Sequence, residues 1–165
     1  MADRSIRYDG RVIDQARQLP QSLRTRASFA LIRLAAVVRQ ECADKLATLG
    51  LSQHQHAILC CLAEFGPSAQ RDVAARLGLD SGDLVAFLDG LQQAGLIGRD
   101  RDQQDRRRQI LTLTASGRRL LNKADKLLDD DAQGALSTLS ANERADLQRL
   151  TIRVLENHAP EHWSA

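Results

Sequence analysis

Two short helical segments separated by a glycine, followed at once by two β-prone segments around an arginine-rich stretch, narrow the folds open to this chain more than any other feature. The first segment runs from Ala69 to Leu77 with Val73, Ala74 and Leu77 on one face, and it stops at Gly78. Asp80 or Ser81 then caps a second run that reaches Gly95 and offers Leu84, Leu88 and Leu91 to a core. A pair of this size has the proportions of a helix-turn-helix, whose second member is the candidate for entering a DNA groove. Leu96-Ile97-Gly98-Arg99 and Gln109-Ile110-Leu111-Thr112-Leu113 follow and read as a hairpin whose connection, Asp100 to Arg108, is polar.

Helices are expected on both sides of this unit. From Ser22 to Leu49 apolar residues recur at helical spacing (Leu23, Ala27, Ala30, Leu31, Leu34, Val37, Val38, Leu46), and Gly50 closes one long helix. Ahead of it, Arg4 to Leu19 suggests either a short helix stopped by Pro20 or a frayed arm. Ser52 with Gln55 is a capping box opening a helix that ends at Gly66-Pro67. Thr114 caps a helix expected to reach about Leu136, and Ser140 with Glu143 opens a last one to about His158. Aromatic residues make up only 3% of the chain, so its core must come from Leu, Ala, Val and Ile, a mix that suits helices packed on helices. The expected fold is mostly α with a small β-hairpin wing, a winged helix-turn-helix. With 165 residues, 43% of them apolar, and no repeat or linker, one domain is expected. Residues 52–114 would form the winged lobe, and residues 1–50 and 115–165 the N- and C-terminal helices through which two copies dimerise.

A net charge of +2 with 27% charged residues means that polyanion binding must be argued from where the charge lies. The stretch from Arg99 to Arg108 holds five arginines (Arg99, Arg101, Arg106, Arg107 and Arg108) and three aspartates. A guanidinium bonds phosphate oxygens bidentately or enters a narrow minor groove, so these five are candidate DNA contacts. A solvated, self-neutralising turn is the alternative. Arg71 or Arg76 on the first helix of the pair could add affinity. The second helix is unusual, because residues 80–91 contain three aspartates and neither Lys nor Arg. Ser81 and Asp83 at its start are the candidates for base contact, and its N-terminus can face a phosphate. Eight N-terminal arginines (Arg4, Arg7, Arg11, Arg17, Arg24, Arg26, Arg33, Arg39) either supplement these contacts or solvate one face of a dimer helix.

Asp105-Arg106-Arg107 followed by Leu113-Thr114-Ala115-Ser116-Gly117 resembles the D-x-R…L-T-x-x-G wing signature of the MarR (multiple antibiotic resistance regulator) family. The helix order from about Ser22 to His158, including the Ala94-Gly95-Leu96-Ile97 joint, resembles that family too. The resemblance implies a dimeric, sequence-specific DNA-binding transcriptional regulator, a repressor relieved by a small-molecule or oxidant effector. It implies that Arg107 is the wing arginine that meets DNA, that Asp105 holds it by an ion pair, that Thr114 caps the following helix, and that Gly117 allows close packing there. The chain departs from the family pattern where Ala86 and Gly90 stand at positions expected to be basic.

No P-loop, G-x-S-x-G, H-E-x-x-H or Gly-rich dinucleotide turn is present, so neither an enzyme nor a cofactor is expected. Cys42, Cys60 and Cys61 are candidate redox residues if one thiol has a lowered pKa, and otherwise small apolar core residues. Neighbours on a helix diverge by about 100°, which disfavours a Cys60–Cys61 disulfide. His54 and His56 diverge by about 200° and show no ligand spacing with a further donor, so no metal is expected. The absence of any run near the roughly 20 apolar residues of a membrane span, or of a secretory core, points to a cytoplasmic protein without a membrane partner. The expected partners are double-stranded DNA, a second copy of the chain and a small-molecule effector. Two rival readings are a winged-helix protein-interaction module that does not bind DNA and a thiol-based redox enzyme.

Overall fold

The computed structural model describes residues 19–102, 105, 108–129 and 134–159. Within them the chain forms α1 (Gln21–Arg24), α2 (Ala27–Ala47), α3 (Gln53–Phe65), β1 (Ser68–Ala69), α4 (Gln70–Leu77), α5 (Ser81–Gln93), β2 (Ile97–Arg101), β3 (Gln109–Leu113), α6 (Ala115–Leu128) and α7 (Ala141–His158). No helix among the described residues is long and apolar enough to cross a membrane.

The helix starts follow side-chain chemistry. Ser52 accepts from the Gln55 backbone N–H while the Gln55 side chain accepts from the Ser52 N–H, and Ser140 with Glu143 does the same at α7. Asp80, rather than Ser81, caps α5 through a 2.7 Å bond from the Gly82 N–H. At the turn between α4 and α5 the Gly78 backbone is left-handed (φ 61°), and the Leu79 N–H reaches back to the Ala74 carbonyl at 3.0 Å. That closure needs a residue without a Cβ penalty at positive φ, which glycine supplies.

An aliphatic core joins the elements from α2 to α6. Leu46 of α2, Ile58, Leu59 and Leu62 of α3, Val73 of α4, Leu84, Leu88 and Leu91 of α5 and Leu111 of β3 are all buried, with Leu121 and Ala124 of α6 in the same cluster. Each such leucine contributes roughly 1.5–3 kcal/mol on burial. The core therefore holds the α4–α5 pair and the wing on one scaffold of α3 and α6.

Three details differ from the sequence reading. The first long helix is interrupted at Thr25 and Arg26: the Thr25 hydroxyl and the Arg26 guanidinium bond the carbonyls of Gln21 and Ser22, and Arg26 is extended. The helix after the wing ends at Leu128, short of Leu136. Asp129 is its C-cap, where a negative charge meets the negative end of the helix dipole, and a turn runs from Gly134 to Ser137. Ala69, read as the first residue of a helix, instead forms β1 with Ser68, which pairs antiparallel with β3 (Ser68 with Leu111, Ala69 with Ile110), and α4 begins at Gln70. The wing is thus the outer part of a three-stranded sheet of order β1-β3-β2. β2 and β3 pair from Ile97 with Leu113 to Arg101 with Gln109.

Candidate nucleic-acid interface

The α4 N-terminus, the first two turns of α5 and the base of the wing enclose one open groove. It has a volume of about 790 Å³ and is lined by Arg71 and Gln70 of α4, Ser81, Leu84 and Val85 of α5, and Arg99, Asp105, Arg108 and Gln109 of the wing, among others. Of the residues singled out from sequence, the groove therefore gathers Arg71, Ser81, Arg99, Asp105 and Arg108. The Arg71 side chain is 91% exposed, so its guanidinium can accept a phosphate without first breaking a buried contact. Arg101 ends β2 exposed, and Asp83 is exposed in the first turn of α5. Arg106 and Arg107 lie outside the described residues, as does any Asp105–Arg107 pair. Arg76 does not line the groove; its guanidinium stands 4.4 Å from the centre of the Phe65 ring, in cation–π contact.

Arg99 is placed differently from its neighbours. Its side chain is only 13% exposed and donates to Asp89 of α5, to Gln109 on β3 at 3.1 Å and to Gln70 of α4 at 3.4 Å. One planar guanidinium thereby connects the wing to both helices of the helix-turn-helix, a task suited to a fork with several fixed donors. Sequence reasoning missed Asp89, Gln70 and Gln109 as partners, since no spacing along the chain relates them. Arg108 is similarly joined to Asp72 of α4, at 3.6 Å. Two acidic side chains of the α4–α5 unit are thus balanced by wing arginines.

The joint beneath the wing is tight. Thr114 accepts from the Gly117 N–H at 3.0 Å and donates its hydroxyl towards the carbonyls of Gly95 at 2.8 Å and Leu96 at 3.0 Å. Gly117 is buried, and a Cβ there would overlap the Leu96 carbonyl oxygen and come to 2.7 Å from Leu113 Cδ1. Thr114 and Gly117 therefore fix where α6 leaves the sheet.

The cysteines lie apart from the groove. Cys61 is buried, while Cys42 and Cys60 are half-buried. Burial pushes the Cys60 thiol up to about 11, with the Asp125 carboxylate adding to the effect. Burial also raises Cys61, partly offset by Arg76. Both thiols therefore stay protonated near neutrality, the opposite of what an oxidant-sensing thiolate requires. His56 and Cys60 share a face of α3 and meet Asp125 of α6, a grouping that chain spacing alone did not suggest.

The MarR family profile matches residues 51–108, from just before α3 to the residue that precedes β3. The HTH-type transcriptional regulator TtmR of Methylorubrum extorquens (strain PA1) is 32% identical over 128 residues; the match covers 78% of this chain and 65% of that relative's length. The transcriptional repressor CouR, solved bound to a 23-mer DNA duplex, superposes with a TM-score of 0.72 at 29% identity, covering 84% of this chain and 99% of that one. The PcaV transcriptional regulator of Streptomyces coelicolor, solved with its natural ligand, gives a TM-score of 0.64 at 27% identity over 84% of this chain and 98% of that one. Together with the α4–Gly78–α5 pair and the wing, these similarities place the chain in the MarR family of winged helix-turn-helix transcriptional regulators.

Proposed function

We propose that the protein is a dimeric, cytoplasmic transcriptional regulator that binds double-stranded DNA through the groove between α4, α5 and the wing. It would be a repressor relieved by a small-molecule effector. The observation that carries this reading is the convergence of Arg71, Ser81 and Arg108 with the α5 N-terminus on one concave surface, braced by Arg99. The α5 N-terminus adds an electropositive end suited to a phosphate, Ser81 and Asp83 would meet base edges, and Arg101 would add a phosphate contact at the end of β2, with Arg106 and Arg107 as further candidates by residue type. CouR bound to duplex DNA and PcaV bound to its ligand support the two partners.

Self-association is supported by apolar side chains left on the outer helices. Leu31, Ile32 and Val37 of α2 and Leu150 and Val154 of α7 are all exposed, 43–66% by residue. Such residues on two terminal helices suit burial against a second copy, with residues 1–50 and 115–165 as the dimerisation region and 52–114 as the DNA-binding lobe. Two lobes would then address successive major grooves about one helical turn apart.

The test is fluorescence anisotropy with a duplex from the chain's own upstream region and a scrambled duplex, at several salt concentrations, for the wild type and Arg107→Ala. Tight, salt-dependent binding that prefers the native duplex and weakens on substitution is expected. The absence of α5 cations favours one alternative, a winged-helix protein-interaction module. No binding to either duplex at low salt would establish that reading instead.

A further inference from the structure

The junction of α3 and α6 brings three different metal-ligand chemistries together outside the groove. His56 Nε2 lies 3.0 Å from Asp125 Oδ1 and 3.6 Å from Cys60 Sγ. One donor atom from each residue falls within 4.8 Å of the other two. We propose that His56, Cys60 and Asp125 form a binding site for a borderline-soft divalent cation, zinc foremost, which clamps α3 to α6.

The geometry suits that ion. Zinc takes imidazole nitrogen at about 2.0 Å and thiolate sulfur at about 2.3 Å in a tetrahedron, which sets neighbouring ligand atoms about 3.3–3.5 Å apart. The His56–Cys60 separation already matches such an edge, and the His56–Asp125 separation is slightly shorter. Residues 56 and 60 are four apart on one helix, so they face the same way, and the Asp125 side chain, 47% exposed, leaves both room to adjust and a path for entry. His56 Nε2 is the ring nitrogen nearer both other donors; facing the Asp125 carboxylate it carries the ring proton in the metal-free protein, and on loading that proton passes through solvent to Nδ1 so that Nε2 can bind the ion. No lysine or arginine among the described residues pairs with Asp125. A half-buried thiol beside a carboxylate is unfavourable to ionise, and that cost reverses when a dication sits between them.

Loading balances simply. Cys60 loses its proton to solvent, the sulfur lone pair and the neutral imidazole and carboxylate complete three bonds to the ion, and a water takes the fourth position. The donor set of sulfur, nitrogen and oxygen favours zinc or cobalt over calcium or magnesium, which prefer all-oxygen cages. The clamp would join the scaffold helix of the DNA-binding lobe to the helix leading out of the wing.

The experiment uses the full chain, stripped with chelator and titrated with Co(II) as a spectroscopic probe, then with zinc against a chromogenic chelator. One equivalent per chain is expected, with a thiolate-to-cobalt charge-transfer band that Cys60→Ser abolishes and Cys61→Ser and Cys42→Ser retain. Asp125→Asn should weaken zinc affinity at least about tenfold. In the wild type, zinc should protect Cys60 from alkylation, read by peptide mass spectrometry, so the proposal stays testable even if Cys60→Ser misfolds. A missing thiolate band, a band that follows Cys61 or Cys42, or unchanged alkylation of Cys60 would overturn it. None of these readouts depends on DNA, so their failure is distinct from failure of the regulator reading.

Discussion

Arg99 on β2 reaches across to Asp89 on α5, so an ion pair whose cationic side chain is 13% exposed ties the hairpin to that helix above their shared core. Gln70 and Gln109 occupy further donor positions of the same guanidinium. Arg99 therefore braces the wing against both helices, in contrast to Arg71, whose side chain is 91% exposed.

A double-mutant cycle between Arg99 and Asp89 should give a coupling of about 1 kcal/mol in urea unfolding, the modest size set by Asp89 being 64% exposed. Arg99→Lys should recover only part of it, because an ammonium cannot span the three partners at once. Additive single-mutant effects would mean that the pair contributes nothing to wing placement.

Arg71 has the opposite character. Arg71→Ala should leave the unfolding midpoint nearly unchanged, since the side chain is 91% exposed. It should lower DNA affinity about equally for native and scrambled duplexes and reduce the slope of log affinity against log salt by about 1. An unaltered slope would remove Arg71 from the phosphate contacts.

Beneath the wing, Gly117→Ala should destabilise by about 2 kcal/mol, because the added methyl overlaps the Leu96 carbonyl and crowds Leu113. Thr114→Ala should cost about 1 kcal/mol through loss of the α6 cap. Chemical denaturation ranks the two; a neutral Gly117→Ala would show that α6 can retreat from the sheet.

Glu41 of α2 accepts from the Ala135 N–H at 2.6 Å and pairs with Lys45 at 3.0 Å. The backbone bond, then Lys45, holds its carboxyl below the ordinary value of 4.5. A depressed folded-state pKa contributes stability that is fully present above the unfolded value and is lost as pH falls through the folded one. Stability of the wild type should thus decline on acidification below about pH 4.5, and Glu41→Gln should lose stability at neutral pH while flattening that decline. Parallel acid limbs for the two proteins would show that this contact is not a source of acid sensitivity.

Much of this architecture is legible in the residues themselves. Capping boxes at Ser52 and Ser140, the Gly78 turn and the β-prone run from Gln109 to Leu113 are local signals, each carried by residues within a few positions of one another. β1 was invisible because two residues are too few to show a period, and they become a strand only by pairing with β3. The break at Thr25 was hidden because its hydroxyl bonds a helix carbonyl that the apolar spacing does not register. At the interface, the arginines could be found by type, but which of them is enclosed could not. Asp89 lies ten residues from Arg99 and Gln70 twenty-nine, so the separation of a bracing arginine from exposed ones is a tertiary property.

The two-residue strand has a mechanical consequence. Because Ser68 and Ala69 run directly into α4 while hydrogen-bonded to β3, the beginning of the helix-turn-helix and the returning limb of the hairpin belong to one sheet. Arg99 bolts the other limb to the same helices. Latched on both sides, the α4–α5 pair and the sheet are tied together as one stiff body among the described residues. A signal received at the terminal helices would then act as a pair of calipers does, changing the distance and tilt between two stiff jaws while leaving the shape of each jaw unchanged.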